Sequence, residues 1–399
     1  MLLKMVNSRI FINCITVFIF LILFYLGVQL SLRKVLWTDE LYTHTFNVEP
    51  LSYKEIIKGS VKEGCNSPLF YLTQKMFLSV VQYHFPFKWN ADGNIYHQPS
   101  QMLLRTLPNI CMSLSLSLII RFFLVHYSWP AAILSLITSL SSYMVLAYWA
   151  EARPYALWFL LSVLQLLLFL RIVSSQKNKD WLYLASIHFL LSLTIFLSIV
   201  QVIIVSVLLY FRKDLNKTLS RFVLLAVGPL LIYGYYFWQA SLNGGLYHYK
   251  IVNPLLRLFE AFAFDHFLLL FVLGLIYFGC THLLKFKTRN FSRSGINFLF
   301  YSAFLLFFSF VLFVVLKFQE ISSGNVPGFE LNSRYLLFLT PLEIMATVLG
   351  VVFVFRFLKE NEVGGLWLGQ FVCMISFFYV IHAIIVFKNI YSISLFAYH

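Results

Sequence analysis

Apolar segments of about 18 residues or more recur along the whole chain, separated by shorter polar or basic intervals. Each is long enough to cross a hydrocarbon core of about 30 Å as an α-helix. About eleven such segments can be marked, at residues 10–30, 106–126, 130–149, 154–172, 181–195, 196–211, 222–239, 266–284, 296–317, 335–356 and 366–387. The pattern predicts an all-α, polytopic transmembrane helix bundle in which residues 1–399 form a single domain.

One polar interval is much longer than the others. Residues 31–105 separate the first span from the second, and we expect them to form an extracytoplasmic loop that carries short interfacial helices. Ser52 and Glu55 form a capping-box pattern, which predicts a helix over 53–63. The apolar stretch 68–81 is short for a span and is expected to lie along the membrane interface.

Composition agrees with a membrane location and gives it an orientation. The chain is 60% hydrophobic and only 12% charged, about half the charged fraction of a soluble domain. Lys and Arg outnumber Asp and Glu by 30 to 16, and most of this excess falls in short intervals on the side of the N-terminus. The positive-inside rule places that side in the cytoplasm. The excess is therefore explained without nucleic-acid binding. We expect a multi-pass protein of a bacterial inner membrane, which the compact, basic chain favours, or of an endoplasmic reticulum membrane as the alternative.

Asp39 and Glu40 follow the first span on the predicted extracytoplasmic side, in the stretch VLWTDELYTHTF. Ionisable residues at a membrane are costly and are candidates for function. If a helix begins here, Thr38 can cap it, and the helix dipole then stabilises an ionised carboxylate in the first turn. Such a carboxylate can accept a proton from a hydroxyl group, although it can equally be a simple dipole partner.

Basic residues occur where the orientation rule does not expect them, at outer ends of spans. The motif WAEARPYAL places Glu151, Arg153 and Tyr155 in a short outer turn. An arginine held there can make bidentate contacts with a phosphate, or it can simply pair with Glu151. Arg105 and Arg334 stand at the outer entrances of two other spans. Their alternative is snorkelling to the interface.

Evidence for a metal site is weak. Four histidines fall on the predicted outer side: His44, His97, His248 and His266. A site combining some of them with Asp39 or Glu63 is conceivable, but no HxxxH-type spacing supports it. The five cysteines form no CxxC pair, so neither a zinc site nor a disulfide framework is indicated. A divalent metal remains a possible cofactor, and none is certain.

The order of several short motifs resembles that of the GT-C membrane glycosyltransferases. The first span ends in W-T-D-E, the long loop contains P-L-F-Y, R-T-L-P-N opens the second span, E-A-R-P-Y opens the fourth, and S-R-Y-L-L-F-L-T-P comes late. The similarity is greatest to the family that groups dolichyl-phosphate-mannose protein mannosyltransferases with lipid A aminoarabinose transferases. The resemblance implies a GT-C-like helix bundle and a polyprenyl-phosphate sugar donor, with no nucleotide.

The resemblance also implies roles for individual residues. The acidic residue after the first span is catalytic in that family, which here is Asp39 with Glu40 beside it. Glu63 is the nearest candidate for a second, metal-associated acid, and Asn66, Glu151 and Tyr155 are further pocket candidates. In the stretch CNSPLF, Asn66 and Ser67 replace the basic residue and the first proline that relatives usually carry.

Together these features predict a membrane glycosyltransferase. Asp39 would act as general base, while Arg153, Arg334 or Arg105 would stabilise the departing phosphate. One base without a nucleophile pocket implies a single displacement with inversion. The acceptor is a hydroxyl of a lipid, glycan or protein. The alternative is a transporter or flippase for a lipid-linked sugar, although that function would need charges along a path through the membrane midplane.

Overall fold

The computed structural model describes residues 9–34, 36–63, 67–83, 100–175, 177–211, 219–242, 249–250, 266–282, 329–330, 337–360 and 365–396. The helices of these residues are Arg9–Arg33, Thr38–Tyr42, Tyr53–Ile57, Leu69–Val80, Gln101–His126, Trp129–Ser141, Tyr143–Tyr148, Tyr155–Ser175, Asn178–Ser192, Ile199–Tyr210, Leu219–Phe222, Gly228–Leu242, Phe267–His282, Thr340–Glu360 and Gly365–Phe396. Two π-helices cover Thr43–Val48 and Val223–Val227, and a 3₁₀ turn covers Phe196–Ser198. Tyr249–Lys250 and Phe329–Glu330 form a two-residue parallel pair.

Long apolar helices dominate this architecture. In the described part of the chain, 6 helices are long and apolar enough to cross a membrane: Arg9–Arg33, Gln101–His126, Tyr155–Ser175, Val223–Leu242, Leu337–Lys359 and Trp367–Val386. The protein is therefore a helical, multi-pass membrane protein. Helices also lie over the other predicted spans except 296–317, which falls outside the described residues. The full number of crossings stays a prediction.

The first helix shows how the sequence sets the packing. Its buried residues Leu23, Gly27 and Ser31 recur every four positions and so lie on one face. That face packs against the helix Gln101–His126, and a Cβ on Gly27 would lie only 1.7 Å from Asn109 Oδ1. The glycine therefore permits a close approach of the two helices, as small residues do in membrane bundles.

A proline inside the helix Gln101–His126 links this helix to the first loop. Pro108 has no backbone N–H, so the carbonyl of Leu104, four residues earlier, has no helical donor. Gln74 from the helix Leu69–Val80 supplies the missing donor, because its Nε2 donates to Leu104 O at 2.8 Å. The R-T-L-P-N motif thus creates an acceptor that ties the loop to the bundle.

The first loop folds over a small apolar core of its own. This core contains Val48, Ile56, Val61, Phe70, Tyr71, Leu78, Leu104 and Ala152. The loop also contacts the helix Gly228–Leu242, where Tyr236 OH donates to Ile57 O at 2.9 Å. The described parts of the loop therefore form a layer on one end of the bundle, and the two share a buried core.

One helix of the loop is shorter than expected. Ser52 and Glu55 form the capping box, but the helix covers Tyr53–Ile57 instead of 53–63. Gly59 adopts φ of 85°, a left-handed conformation that ends the helix. The apolar stretch 68–81 forms the helix Leu69–Val80.

Candidate active site

The two adjacent acids lie in the first turn of the helix Thr38–Tyr42. The prediction that Thr38 caps this helix is wrong, because the helix begins at Thr38 and its N-cap position is Trp37. Glu40 takes over part of the capping, since its Oε2 accepts from the Trp37 N–H at 2.9 Å. Consecutive helical residues point in different directions, about 100° apart. Asp39 and Glu40 therefore enter different surroundings.

Glu40 is held by a buried arginine. Arg105 Nε donates to Glu40 Oε1 at 2.9 Å, and Arg105 Nη2 donates to Oε2 at 2.6 Å. Both side chains have an exposed fraction of 0%. Arg105 Nη1 also donates to the carbonyl of Ser31 at 3.0 Å and to that of Lys34. The pair is bidentate and dry, so the predicted alternative of a snorkelling Arg105 does not apply.

Glu40 also fixes the turn that carries the second arginine. The Ala152 N–H donates to Glu40 Oε1 at 2.7 Å, which places the EARPY turn beside the helix of Asp39. Burial alone would raise the pKa of Glu40, but the Arg105 guanidinium beside it lowers the pKa below its ordinary value. Glu40 is thus an ionised anchor to which substrate has no access, and Asp39 is left as the candidate base.

Arg153 joins the other two acids of the site. Its Nη1 lies 2.6 Å from Asp39 Oδ2, and its Nη2 lies 2.7 Å from Glu63 Oε1. The exposed fractions of the side chains are 6% for Arg153 and 8% for Glu63, but 43% for Asp39. Arg153 therefore bridges two distant acids, and the negative charge of Glu151 also acts on its guanidinium group. The end of this bridge that is exposed to solvent is at Asp39.

Glu63 is supported from several directions. Thr43 Oγ1 lies 2.8 Å from each carboxylate oxygen, and Tyr71 OH donates to Oε2 at 2.8 Å. The preceding residue is also fixed, because the Lys62 N–H donates to Asn47 Oδ1 at 2.8 Å. Glu63 is therefore a fixed partner of Arg153.

The residues that hold this arrangement come partly from the π-helix Thr43–Val48, which continues the helix of Asp39. π-Helices are rare and often mark functional sites. Thr43 and His44 are fully buried. His44 Nδ1 lies 2.8 Å from Glu40 O, and its Nε2 lies 3.1 Å from Gln74 Nε2. Burial lowers the pKa of His44, so the ring is neutral, with Nδ1 donating and Nε2 accepting from the amide.

A lysine adds a third cation to the region. Lys34 Nζ donates to Ala147 O at 2.5 Å and lies 5.2 Å from the centre of the Trp37 ring. Burial lowers the pKa of Lys34, and the negative charges of Glu151 and Glu40 oppose that shift. Glu151 is itself buried. Glu151 therefore contributes charge within the site and is not open to solvent.

The remaining predicted residues divide into two groups. The Tyr155 ring lies under the guanidinium group of Arg153, and its centre is 5.2 Å from Arg153 Cζ. This distance is typical of a cation–π contact. Arg334 and Asn66 lie outside the described residues, so their proposed contacts stay predictions. His97 and His248 lie outside them as well.

Two other ionisable residues belong to a separate buried cluster. Glu343 Oε1 accepts from the His266 N–H at 2.6 Å, and His266 Nε2 lies 2.9 Å from Ser141 Oγ. Glu343 is thus held by a neighbouring element, as expected of an acid within a span. His266 contacts His382, with ring centres 4.8 Å apart. This cluster shares no residue with the Arg153 site.

The described side chains around Arg153 do not form a site for the possible divalent metal. Within the described ranges, no group of three His, Cys, Asp or Glu side chains is arranged to hold a metal ion. Asp39 and Glu63, the acids considered for that role, both face Arg153. The chemistry of the site is therefore derived from Arg153 and its acids alone.

Sequence reasoning missed four side chains that shape the site: Lys34, Thr43, Tyr71 and Gln74. Lys34 had a signal, because a lysine at the predicted outer end of a span departs from the positive-inside rule. Tyr71 lies in the P-L-F-Y motif, where it was not given a role. Thr43 and Gln74 carry no signal of their own, since their roles depend on contacts between distant parts of the chain.

The fold and site define a multi-pass membrane protein that carries an arginine–carboxylate cluster under an ordered loop. Comparison with protein-family models, with curated proteins and with solved structures finds no match.

Proposed function

We propose that the protein is an integral membrane glycosyltransferase of GT-C type. It transfers a sugar from a polyprenyl-phosphate donor to a hydroxyl group on the extracytoplasmic face of a bacterial inner membrane. The observation that carries the proposal is the contact between a half-exposed carboxylate, Asp39, and a largely buried arginine, Arg153. Transfer from a lipid phosphate needs these two groups side by side: a base for the acceptor and a cation for the phosphate.

The chemistry requires little else. The phosphate of the donor is a good leaving group, so no general acid is needed. Asp39 accepts the proton of the acceptor hydroxyl as the acceptor oxygen bonds to the anomeric carbon. The bond between that carbon and the phosphate oxygen breaks, and the electron pair leaves with the phosphate. The reaction is one displacement with inversion, through an oxocarbenium-like transition state.

The buried residues position the reacting pair. Glu63 holds one nitrogen of Arg153, while Thr43 and Tyr71 hold Glu63. Glu40 attaches the EARPY turn to the helix of Asp39 through the Ala152 N–H. Fixed geometry of this kind favours catalysis, because a displacement of about 1 Å can cost about 10²-fold in rate.

A transfer assay tests the proposal. Purified protein in proteoliposomes is given polyprenyl phosphates that carry different radiolabelled sugars, together with total membrane lipid and cell-surface glycan as acceptors. We expect transfer from at least one donor, and a loss of about 10²–10⁴-fold in Asp39→Asn, because the base is removed. Glu55→Gln is the matched control. It removes a carboxylate of the same loop while keeping a residue type suited to the capping box.

The outcomes separate the candidate functions. Full activity in Asp39→Asn would exclude Asp39 as the base. Movement of the lipid-linked sugar across the bilayer without transfer would instead identify a flippase. Labelling that places residue 39 on the cytoplasmic side would also contradict the proposal, since the donor is expected on the opposite face.

A further inference from the structure

Arg153 is already occupied in the structure. Two of its nitrogens contact carboxylates, at 2.6 Å from Asp39 and 2.7 Å from Glu63. Three anions around one guanidinium would repel one another, so a phosphate that binds here must displace a carboxylate. The arrangement therefore raises the question of which carboxylate leaves.

The two carboxylates differ in how firmly they are held. Glu63 is buried at 8% exposure and receives hydrogen bonds from Tyr71 and Thr43. Asp39 is 43% exposed, so water can solvate its carboxylate once the ion pair opens. Separation of a buried pair leaves a costly charge, whereas a carboxylate that is partly exposed can be hydrated when its pair opens. Asp39 is the carboxylate that can exchange.

Arg153 also has a donor in reserve. Its Nε is buried and has no hydrogen-bond partner among the described residues. A buried donor without a partner is unusual and indicates a missing ligand or water. A phosphate that replaces Asp39 can accept from Nη1, while its other oxygens approach the same guanidinium group.

We propose that the phosphate of the donor displaces Asp39 from Arg153, so that the base is released for catalysis only when the donor is bound. This inference rests on the proposed function. In the resting protein Asp39 is paired with Arg153. In the donor complex Arg153 keeps Glu63 and exchanges Asp39 for phosphate.

The cycle then closes without a further reactant. Released Asp39 takes the acceptor proton as the new glycosidic bond forms and the bond to phosphate breaks. The polyprenyl phosphate holds the electron pair of that bond and remains on Arg153. Asp39 passes its proton to water and returns to Arg153, which favours departure of the phosphate product. Asp39 thus acts both as base and as competitor for the phosphate.

The competition can be measured without any reaction. Farnesyl phosphate serves as a soluble probe, and its binding to the full chain in nanodiscs is followed by isothermal titration calorimetry. Asp39→Asn removes the competitor while keeping a side chain of similar size. We expect the dissociation constant to fall about fivefold in Asp39→Asn, the ratio that corresponds to a weak, partly exposed ion pair. A residue that served only as base would leave phosphate affinity unchanged.

Two comparisons show whether the effect runs through the arginine. Glu55→Gln removes an acid elsewhere in the loop and should leave the dissociation constant within about twofold. In an Arg153→Gln background, binding is weaker and the added Asp39→Asn change has no further effect, because there is no guanidinium to compete for. Farnesol, which lacks the phosphate, should show no difference between wild type and Asp39→Asn.

The outcomes distinguish failure of the exchange from failure of the proposed glycosyltransferase function. Equal or weaker binding in Asp39→Asn, equal tightening in the Arg153→Gln background, or no saturable binding of farnesyl phosphate overturns the exchange. If sugar transfer is observed together with any of these results, the proposed function stands and only the exchange falls. If Asp39→Asn binds more tightly but no donor supports transfer, the exchange stands and the glycosyltransferase proposal falls.

Discussion

The two arginines of the candidate site have the same kind of partner and different surroundings. Arg105 meets Glu40 through two parallel hydrogen bonds, and both side chains are completely buried. Arg153 divides its nitrogens between Glu63 and Asp39, and the contact to Asp39 opens to solvent. The first pair joins the helices Thr38–Tyr42 and Gln101–His126, while the second lies at the edge of the loop.

The difference shows how burial assigns roles to chemically equal groups. A buried, bidentate pair cannot exchange partners, because separation leaves a charge without water. A pair with one exposed member can exchange, because water replaces the lost contact. Adjacent acids in one sequence motif therefore differ in purpose: Glu40 holds the structure together, and Asp39 is accessible for chemistry.

The largest expected effect comes from breaking the buried pair. Glu40→Gln leaves Arg105 with a neutral partner in a dry site, and the free energy of unfolding should fall by about 3–5 kcal/mol. Thermal unfolding and the yield of monodisperse protein measure the loss. Asp39→Asn is the matched change on the neighbouring residue, and it should lower stability by no more than about 1 kcal/mol.

Similar unfolding temperatures for Glu40→Gln and Asp39→Asn would contradict this comparison. A further variant separates charge from packing. Replacing both partners together, as Glu40→Gln with Arg105→Met, should destabilise less than Glu40→Gln alone, since no isolated charge remains.

A smaller effect is expected when the support of Glu63 is weakened. Tyr71→Phe removes the hydroxyl that donates to Glu63 at 2.8 Å and leaves the ring in the loop core. The loss corresponds to about 1 kcal/mol, or about fivefold in kcat/KM for the donor, because Arg153 is held less firmly. Tyr53→Phe is the control, since Tyr53 is exposed and lies outside the site. Equal rates for Tyr71→Phe and wild type would remove Glu63 from the positioning role.

The smallest effect concerns the pH dependence of stability, which involves the buried side chain of His44. Burial lowers its pKa from the ordinary 6.5, so the folded state disfavours the protonated ring. Stability is therefore complete above pH 6.5 and falls as the pH drops below that value, by about 1 kcal/mol over the first unit. His44→Gln cannot titrate and should lose less stability between pH 7.5 and 5.5. Parallel pH profiles of unfolding temperature for the two proteins would contradict the assignment.

Much of the architecture follows from the sequence alone. Runs of about 18 apolar residues must be helical in a membrane, because lipid offers no partner for backbone groups. The helices Arg9–Arg33, Gln101–His126 and Tyr155–Ser175 lie where this argument puts them. The acids and arginines of the site were likewise visible as charges at the ends of apolar segments, where charge is costly.

Only the tertiary structure decided which acid pairs with which arginine. Arg105 joins Glu40 across 65 residues of sequence, and Arg153 joins Asp39 across 114. Nothing local distinguishes Asp39 from its neighbour, since both are carboxylates in the same helical turn. Their separation into a partly exposed and a buried acid arises when the loop folds onto the bundle, because one side of the turn then faces Arg105 and the other faces Arg153 and water. Burial depends on the whole packed chain, so no short stretch of sequence encodes it.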